Sequence, residues 1–340
     1  MKTVLIAASL FLATICGNYC AAQKIKEESK TGGAQKKVKD WHSSVNAGNI
    51  VLGNPTENTV TASVILGKDF EGYIEYATTA GKYENRTAIF RTENDDPVEI
   101  VISKLIAGTT YYYRLLYKRA GDKNFNVSPA SWFATKRDSN TTFSFGVQGD
   151  SHPERQGKMF SPELYRRTIQ LVSQQRPDFY FLMGDDFSLD RLLQNNTVTK
   201  ENVEAVYKTQ RYFLGSAGIN PPLFLVNGNH EQAAKYLLNG SPDNAAVQAG
   251  LARKKFFPLP APGVFYSGNR DTVQHIGLLK DYYSFEWGNA LFVVIDPYWH
   301  SDVPVDNQPA KDGEEKKKKE PWGATLGKEQ YDWLKKTLET

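Results

Sequence analysis

Three short blocks in this chain join a glycine to side chains that can hold a metal ion: Gly149-Asp150-Ser151-His152, Gly184-Asp185-Asp186 and Gly228-Asn229-His230-Glu231. Asp150, His152, Asp185 and Asn229 offer carboxylate, imidazole and amide oxygen. That mixed hard and borderline set suits Mn, Fe, Zn or Co and differs from a thiolate site. A carboxylate has two oxygens and can bridge two cations, and a water between such ions loses a proton near neutral pH and becomes a nucleophile. The glycines let the backbone turn tightly and approach a ligand.

Each block ends an apolar run: "TFSFGVQGD", "DFYFLMGDD" and "PPLFLVNGNHE". A fourth run, "NALFVVIDPYWH", ends at Asp296 with His300 close behind. Two helical patterns lie between the runs. In "SPELYRRTIQLVSQQRP" Ser161 is the cap, Pro162 suits the first turn, and Leu164, Thr168, Leu171 and Val172 share a face. In "TKENVEAVYKTQRYFLG" Thr199 caps and Gly215 stops the helix. Strands alternating with helices predict a largely parallel sheet with helices on its faces. Ligands bind such sheets outside the carboxyl ends of the strands, so the three blocks are expected on one rim.

Upstream, residues 48–137 read as short alternating strands separated by turn-formers such as Gly53, Gly67, Gly81, Gly108 and Gly121, the pattern of a β-sandwich. The fold class expected is therefore a β-sandwich followed by an α/β domain over 138–340. Residues 1–22, with one lysine, a short apolar run and an Ala21–Ala22 exit, read as a secretory signal peptide. Residues 23–47 are a polar linker. Both cysteines, Cys16 and Cys20, fall in the leader, so the mature chain would carry no disulfide and would be secreted or periplasmic, with no transmembrane segment. A net charge of +3 over 340 residues argues against dedicated nucleic-acid binding.

"SKLIAGTTYYYRLLY" resembles the tyrosine corner of fibronectin type III domains and of the N-terminal domain of purple acid phosphatases, with Tyr111 or Tyr113 supplying the hydroxyl. The three glycine blocks resemble the opening motifs of the calcineurin-like metallophosphoesterases. That resemblance implies hydrolysis of phosphate mono- or diesters, on phosphorylated small molecules or exposed phosphoesters, by water activated at two divalent or mixed-valence ions. It implies Asp150 and His152 on the first ion, Asp185 bridging, Asn229 on the second, and His230 at the phosphoryl or leaving-group oxygen. Glu231 would orient His230 or a ligand. Asp186 and Asp190 read as caps or solvated acids. His300 is a weaker candidate for substrate contact.

Two features depart from the family pattern. The iron-binding tyrosine of purple acid phosphatases is replaced by Ser188, which argues against a purple ferric site. The later lone histidine and Gly-His-x-His block are absent before Thr340. This reads as a truncated form with low or no activity, and the alternative is a binding protein with a vestigial metal site. The lysines Lys316–Lys319, in a segment following the fourth run, read as a solvated loop or as a local attractor of anionic substrates.

Overall fold

A computed structural model of the chain describes residues 3–7, 49–155, 157–158, 160–216, 221–301, 303–305 and 324–339. The linker and Lys316–Lys319 lie outside the described residues, as does the leader apart from Thr3–Ala7. That segment runs as a strand parallel to Ala290–Val294.

The expected β-sandwich followed by an α/β domain is present. In the sandwich, Asn49–Gly53, Val60–Ile65 and Val98–Ile102 form one antiparallel layer. Ser131–Ala134, Thr110–Arg119, Phe70–Ala77 and Asn85–Arg86 form the other. Alternate residues point inward, so Leu52, Val60, Val64, Ile100 and Ile102 meet Ile74, Tyr111, Tyr113, Leu115 and Phe133 in a common core. The corner hydroxyl is that of Tyr111, which accepts the Ile106 N–H at 2.9 Å. Tyr113 is buried as well, and burial pushes its phenol up to about 12.

In the α/β part, Phe145–Gln148, Phe179–Leu182 and Leu223–Leu225 are parallel neighbours. Leu223 also pairs in parallel with Gly53, so this sheet continues directly into the first layer of the sandwich. The strand Phe179–Leu182 is buried on both faces, which explains its unbroken apolar run. Tyr180 and Leu182 meet a layer of helices that includes Tyr165, Ile169, Val203, Tyr207, Ala252 and Phe256. Phe179 and Phe181 meet a second sheet through Phe285, Trp287 and Phe292.

That second sheet corrects the expectation of helices on both faces. It contains Thr3–Ala7, Ala290–Val294, Tyr283–Trp287 and Ser267–Gly268. Tyr283–Trp287 and Ala290–Val294 form an antiparallel hairpin around Gly288, whose φ of 59° suits a two-residue turn. The fourth run therefore belongs to a different sheet from the three glycine blocks.

Two helix details also differ from expectation. Ser161 caps Pro162–Gln174 by accepting the Leu164 N–H, but Tyr165, Ile169 and Ser173 are the buried residues. Leu164 and Leu171 are 63% and 50% exposed. The face is set by the Tyr165 hydroxyl, which accepts from Gln148 at 2.8 Å and Gln210 at 3.0 Å inside the protein. The helix Lys200–Ser216 runs through Gly215 and does not stop there. A Cβ on Gly215 would lie 2.6 Å from the Asn49 side chain, so this glycine permits close packing and is not a terminator.

Arg211 of that helix is fully buried against the sandwich. It donates to the Ser63 hydroxyl at 2.9 Å and to the carbonyls of Ser63 and Phe256. Burial pulls its guanidinium down to about 9, with Glu99 opposing. Removing it leaves buried carbonyls without donors, each costing about 1–3 kcal/mol. Arg211→Met is expected to lower the unfolding free energy by about 2–5 kcal/mol in urea titrations. A loss below about 1 kcal/mol would show that water replaces the guanidinium.

Candidate metal centre

The first block follows Phe145–Gln148, the second Phe179–Leu182 and the third Leu223–Leu225. Because these strands are parallel neighbours, their exits open on one rim. Backbone bonds fasten the exits together. The N–H groups of Asp150 and His152 donate to the carbonyls of Gly184 and Asp185 at 3.0 and 3.3 Å. The Leu189 N–H donates to the His230 carbonyl at 2.9 Å, and Asp185 Oδ1 accepts the His230 N–H at 3.0 Å.

Donor atoms of His152, Asp185 and His230, one from each block, lie within 4.8 Å of one another. The Asp150 carboxylate sits 2.9 Å from His152 Nε2 at the edge of this group. Asn229 precedes His230, and its amide nitrogen is buried without a hydrogen-bond partner. Asp150, His152 and Asp185 have φ values of 62°, 41° and 53°, the left-handed region that L-residues seldom occupy. Such backbone persists only where surrounding bonds hold it, and it gathers at functional sites.

Three sequence expectations need correction. Glu231 does not hold His230. Its buried carboxylate accepts the Gly228 N–H at 2.8 Å and the Asp186 N–H at 3.2 Å, stapling the second block to the third. Asp186 is neither a cap nor solvated: it is fully buried, accepting from Gln148 at 3.2 Å and from the Ser151 hydroxyl at 3.1 Å. Burial, with Asp185 adding to it, pushes the Asp186 carboxyl up to about 7 against those two donors. Asp190 opens the helix Asp190–Gln194, but its carboxylate contacts His230 Nδ1 at 2.6 Å and accepts from Gln232 at 2.7 Å. Asp190 holds the His230 imidazole above its ordinary pKa, while burial and Arg155 pull the other way.

His300 is outside this group. It pairs with the buried Asp281 at 2.6 Å, which outweighs burial and raises the imidazole. Asp296 caps the short helix Pro297–His300 through the amides of Tyr298 and Trp299, and accepts from Asn227 at 2.7 Å. Ser188, at the place of the absent tyrosine, accepts the Asp190 N–H at 3.2 Å.

No protein-family model matches the chain, and no curated protein does. Among solved structures, that of PhoD superposes with a TM-score of 0.56 at 18% identity, covering 86% of this chain and 59% of that one. The purple acid phosphatase PPD1 from yellow lupin (Lupinus luteus) seeds gives 0.53 at 15% identity, covering 86% of this chain and 48% of that one. The chain has the fold of PhoD and of a purple acid phosphatase. The chain thus spans about half to three-fifths of the length of these two structures.

The residues present at the three exits suit a cation. The donors are nitrogen and oxygen of the right class, and Asn229 has a buried amide that can present its oxygen by rotation. Asp186 keeps one buried oxygen without a donor, and Asp185 and Asp186 together with burial raise the Glu231 carboxyl. Packing three acids this closely is costly unless positive charge offsets them.

Proposed function

We propose that the protein is an exported phosphoesterase that hydrolyses phosphate mono- or diesters at a two-cation centre held by Asp150, His152, Asp185 and Asn229. The observation that carries this reading is the convergence of His152, Asp185 and His230 from three strand exits, in a fold shared with PhoD and a purple acid phosphatase. Cations of the Mn, Fe, Zn or Co class would supply Lewis acidity and an activated water.

The chain's own groups do the rest. Asp190 fixes the His230 ring through Nδ1, and Nε2, which faces the Arg155 guanidinium at 3.4 Å, is the nitrogen that would meet the leaving-group oxygen. Glu231 and the backbone bonds keep the exits in register. Substrates are phosphorylated small molecules or exposed phosphoesters, and nucleic acid is not expected. Export rests on the leader sequence, whose removal would take the Thr3–Ala7 strand from beside Ala290–Val294. Among the described residues no helix is long and apolar enough to cross a membrane.

The test is to strip the full-length protein with chelator, restore each metal in turn, and follow release from aryl phosphate mono- and diesters. Metal-dependent release supports the proposal; no release with any metal or ester refutes it. In the same assay Asp190→Asn is expected to lower kcat by about 100-fold with metal content unchanged, since the orienting carboxylate meets His230 and Gln232 and none of the proposed ligands. His230→Ala should behave alike. Loss of metal in either variant would place His230 among the ligands.

A further inference from the structure

We propose that Arg155 is a substrate-binding residue that takes terminal oxygens of a phosphate monoester beside His230, an inference that rests on the phosphoesterase reading of this site. The residue ends the short turn Pro153–Arg155, immediately after the candidate ligand His152. Its N–H donates to the His152 carbonyl at 2.9 Å, and its own carbonyl accepts from Lys158 and Phe160 at 3.0 and 3.3 Å. The side chain therefore starts from a fixed point on the rim.

From there Arg155 Nη2 reaches within 3.4 Å of His230 Nε2, the ring nitrogen opposite the one that Asp190 holds. The His152 ring stands 4.9 Å from that of His230, edge to face, so guanidinium and imidazole meet next to the candidate centre. Asp150, Asp185 and Asp190 bring carboxylates to the same place, and without an offsetting positive charge they repel an incoming phosphate. Arg155 supplies a positive charge on a planar fork matched to two phosphate oxygens. A monoester has three terminal oxygens and a diester two. With one terminal oxygen at the proposed cation centre, a monoester keeps a pair for the fork and a diester keeps only one. The geometry thus favours monoesters.

The experiment compares the full-length wild-type protein with Arg155→Met and Arg155→Lys, after unfolding and metal analysis show equal stability and metal content. Orthophosphate binding is measured by calorimetry, and kcat/KM on p-nitrophenyl phosphate and bis(p-nitrophenyl) phosphate. For Arg155→Met we expect orthophosphate affinity and monoester kcat/KM to fall about 10–100-fold. Diester kcat/KM should also fall, but less, because a diester with one terminal oxygen at the proposed centre keeps only one for the fork. Arg155→Lys, which keeps the charge and loses the fork, should fall between. Arginine-dependent phosphate binding without hydrolysis would uphold the contact and refute the phosphoesterase reading. Hydrolysis with phosphate affinity unchanged in Arg155→Met would overturn the contact and leave that reading standing. Equal losses on both esters would overturn the monoester preference, and a wild type that neither binds nor hydrolyses would overturn everything proposed here.

Discussion

Asp185→Ala is expected to remove metal-dependent phosphoester hydrolysis, lowering kcat/KM by about 10³-fold or more, a loss of about 4 kcal/mol of transition-state stabilisation. Asn229→Ala should cost roughly 10–100-fold. The difference follows from what each side chain touches. Asp185 shares the donor group with His152 and His230, and its Oδ1 also accepts the His230 N–H, so one substitution takes a charged ligand and loosens the proton donor. Asn229 brings a neutral amide with no such second task. Asp185→Asn separates the two effects, because it keeps an oxygen for the His230 N–H and loses the charge. It should match Asp185→Ala in metal content and retain more of the His230 geometry, read by the pKa of His230 in NMR titrations. Greater damage from Asn229→Ala than from Asp185→Ala would end the bridging assignment.

The placement of the three blocks was legible in the sequence because each is a local event: an apolar strand, a glycine and a polar exit. Their convergence needed only parallel pairing, which the intervening helices imply. The sandwich was legible for a similar reason, since alternation and turn residues recur along it. Asn49–Gly53, in contrast, was hidden as an element. It is short and carries no alternation, yet it joins the two parts by pairing with Val60–Ile65 on one side and Leu223 on the other. Such a strand is defined by distant partners, which periodicity does not record. The second sheet was missed on the same grounds, because the Gly288 hairpin interrupts a pattern otherwise consistent with one more parallel strand.

The site shows the same division. Which residues can bind a cation is a matter of chemistry and was readable; which acid serves which neighbour is a matter of three-dimensional contact. Asp190 and Glu231 are separated by 41 positions in the chain. Of the two roles expected of Glu231, orienting His230 or a ligand, the first is performed by Asp190, and Glu231 accepts two backbone N–H groups. Nothing in the spacing distinguishes these assignments. Arg155 gave no signal at all, since an arginine three residues beyond His152 is ordinary in a polar loop until the fold sets it against His230.

The three glycines look equivalent in the sequence but are expected to respond very differently to alanine. Gly184 has φ 93°, and a Cβ there would lie 2.3 Å from Gly228 N and 2.5 Å from Gly228 Cα. A Cβ on Gly228 would lie 2.2 Å from Asp185 Oδ1 and 2.5 Å from Asp185 N. These are backbone and ligand atoms that cannot swing aside, so either substitution drives the second and third blocks apart. The left-handed backbone at Gly184 adds about 1–2 kcal/mol of its own. A Cβ on Gly149, in contrast, would meet Met183 Cβ at 3.3 Å and the Gly184 carbonyl at 3.4 Å, contacts that small shifts relieve. Gly184→Ala should therefore cost about 3–5 kcal/mol in urea unfolding and weaken metal binding by roughly 100-fold or more. Gly149→Ala should cost about 1 kcal/mol or less and keep its metal. Metal titration of the two folded variants decides the matter: equal affinities would mean that the separation of the second and third exits does not set the geometry of the centre.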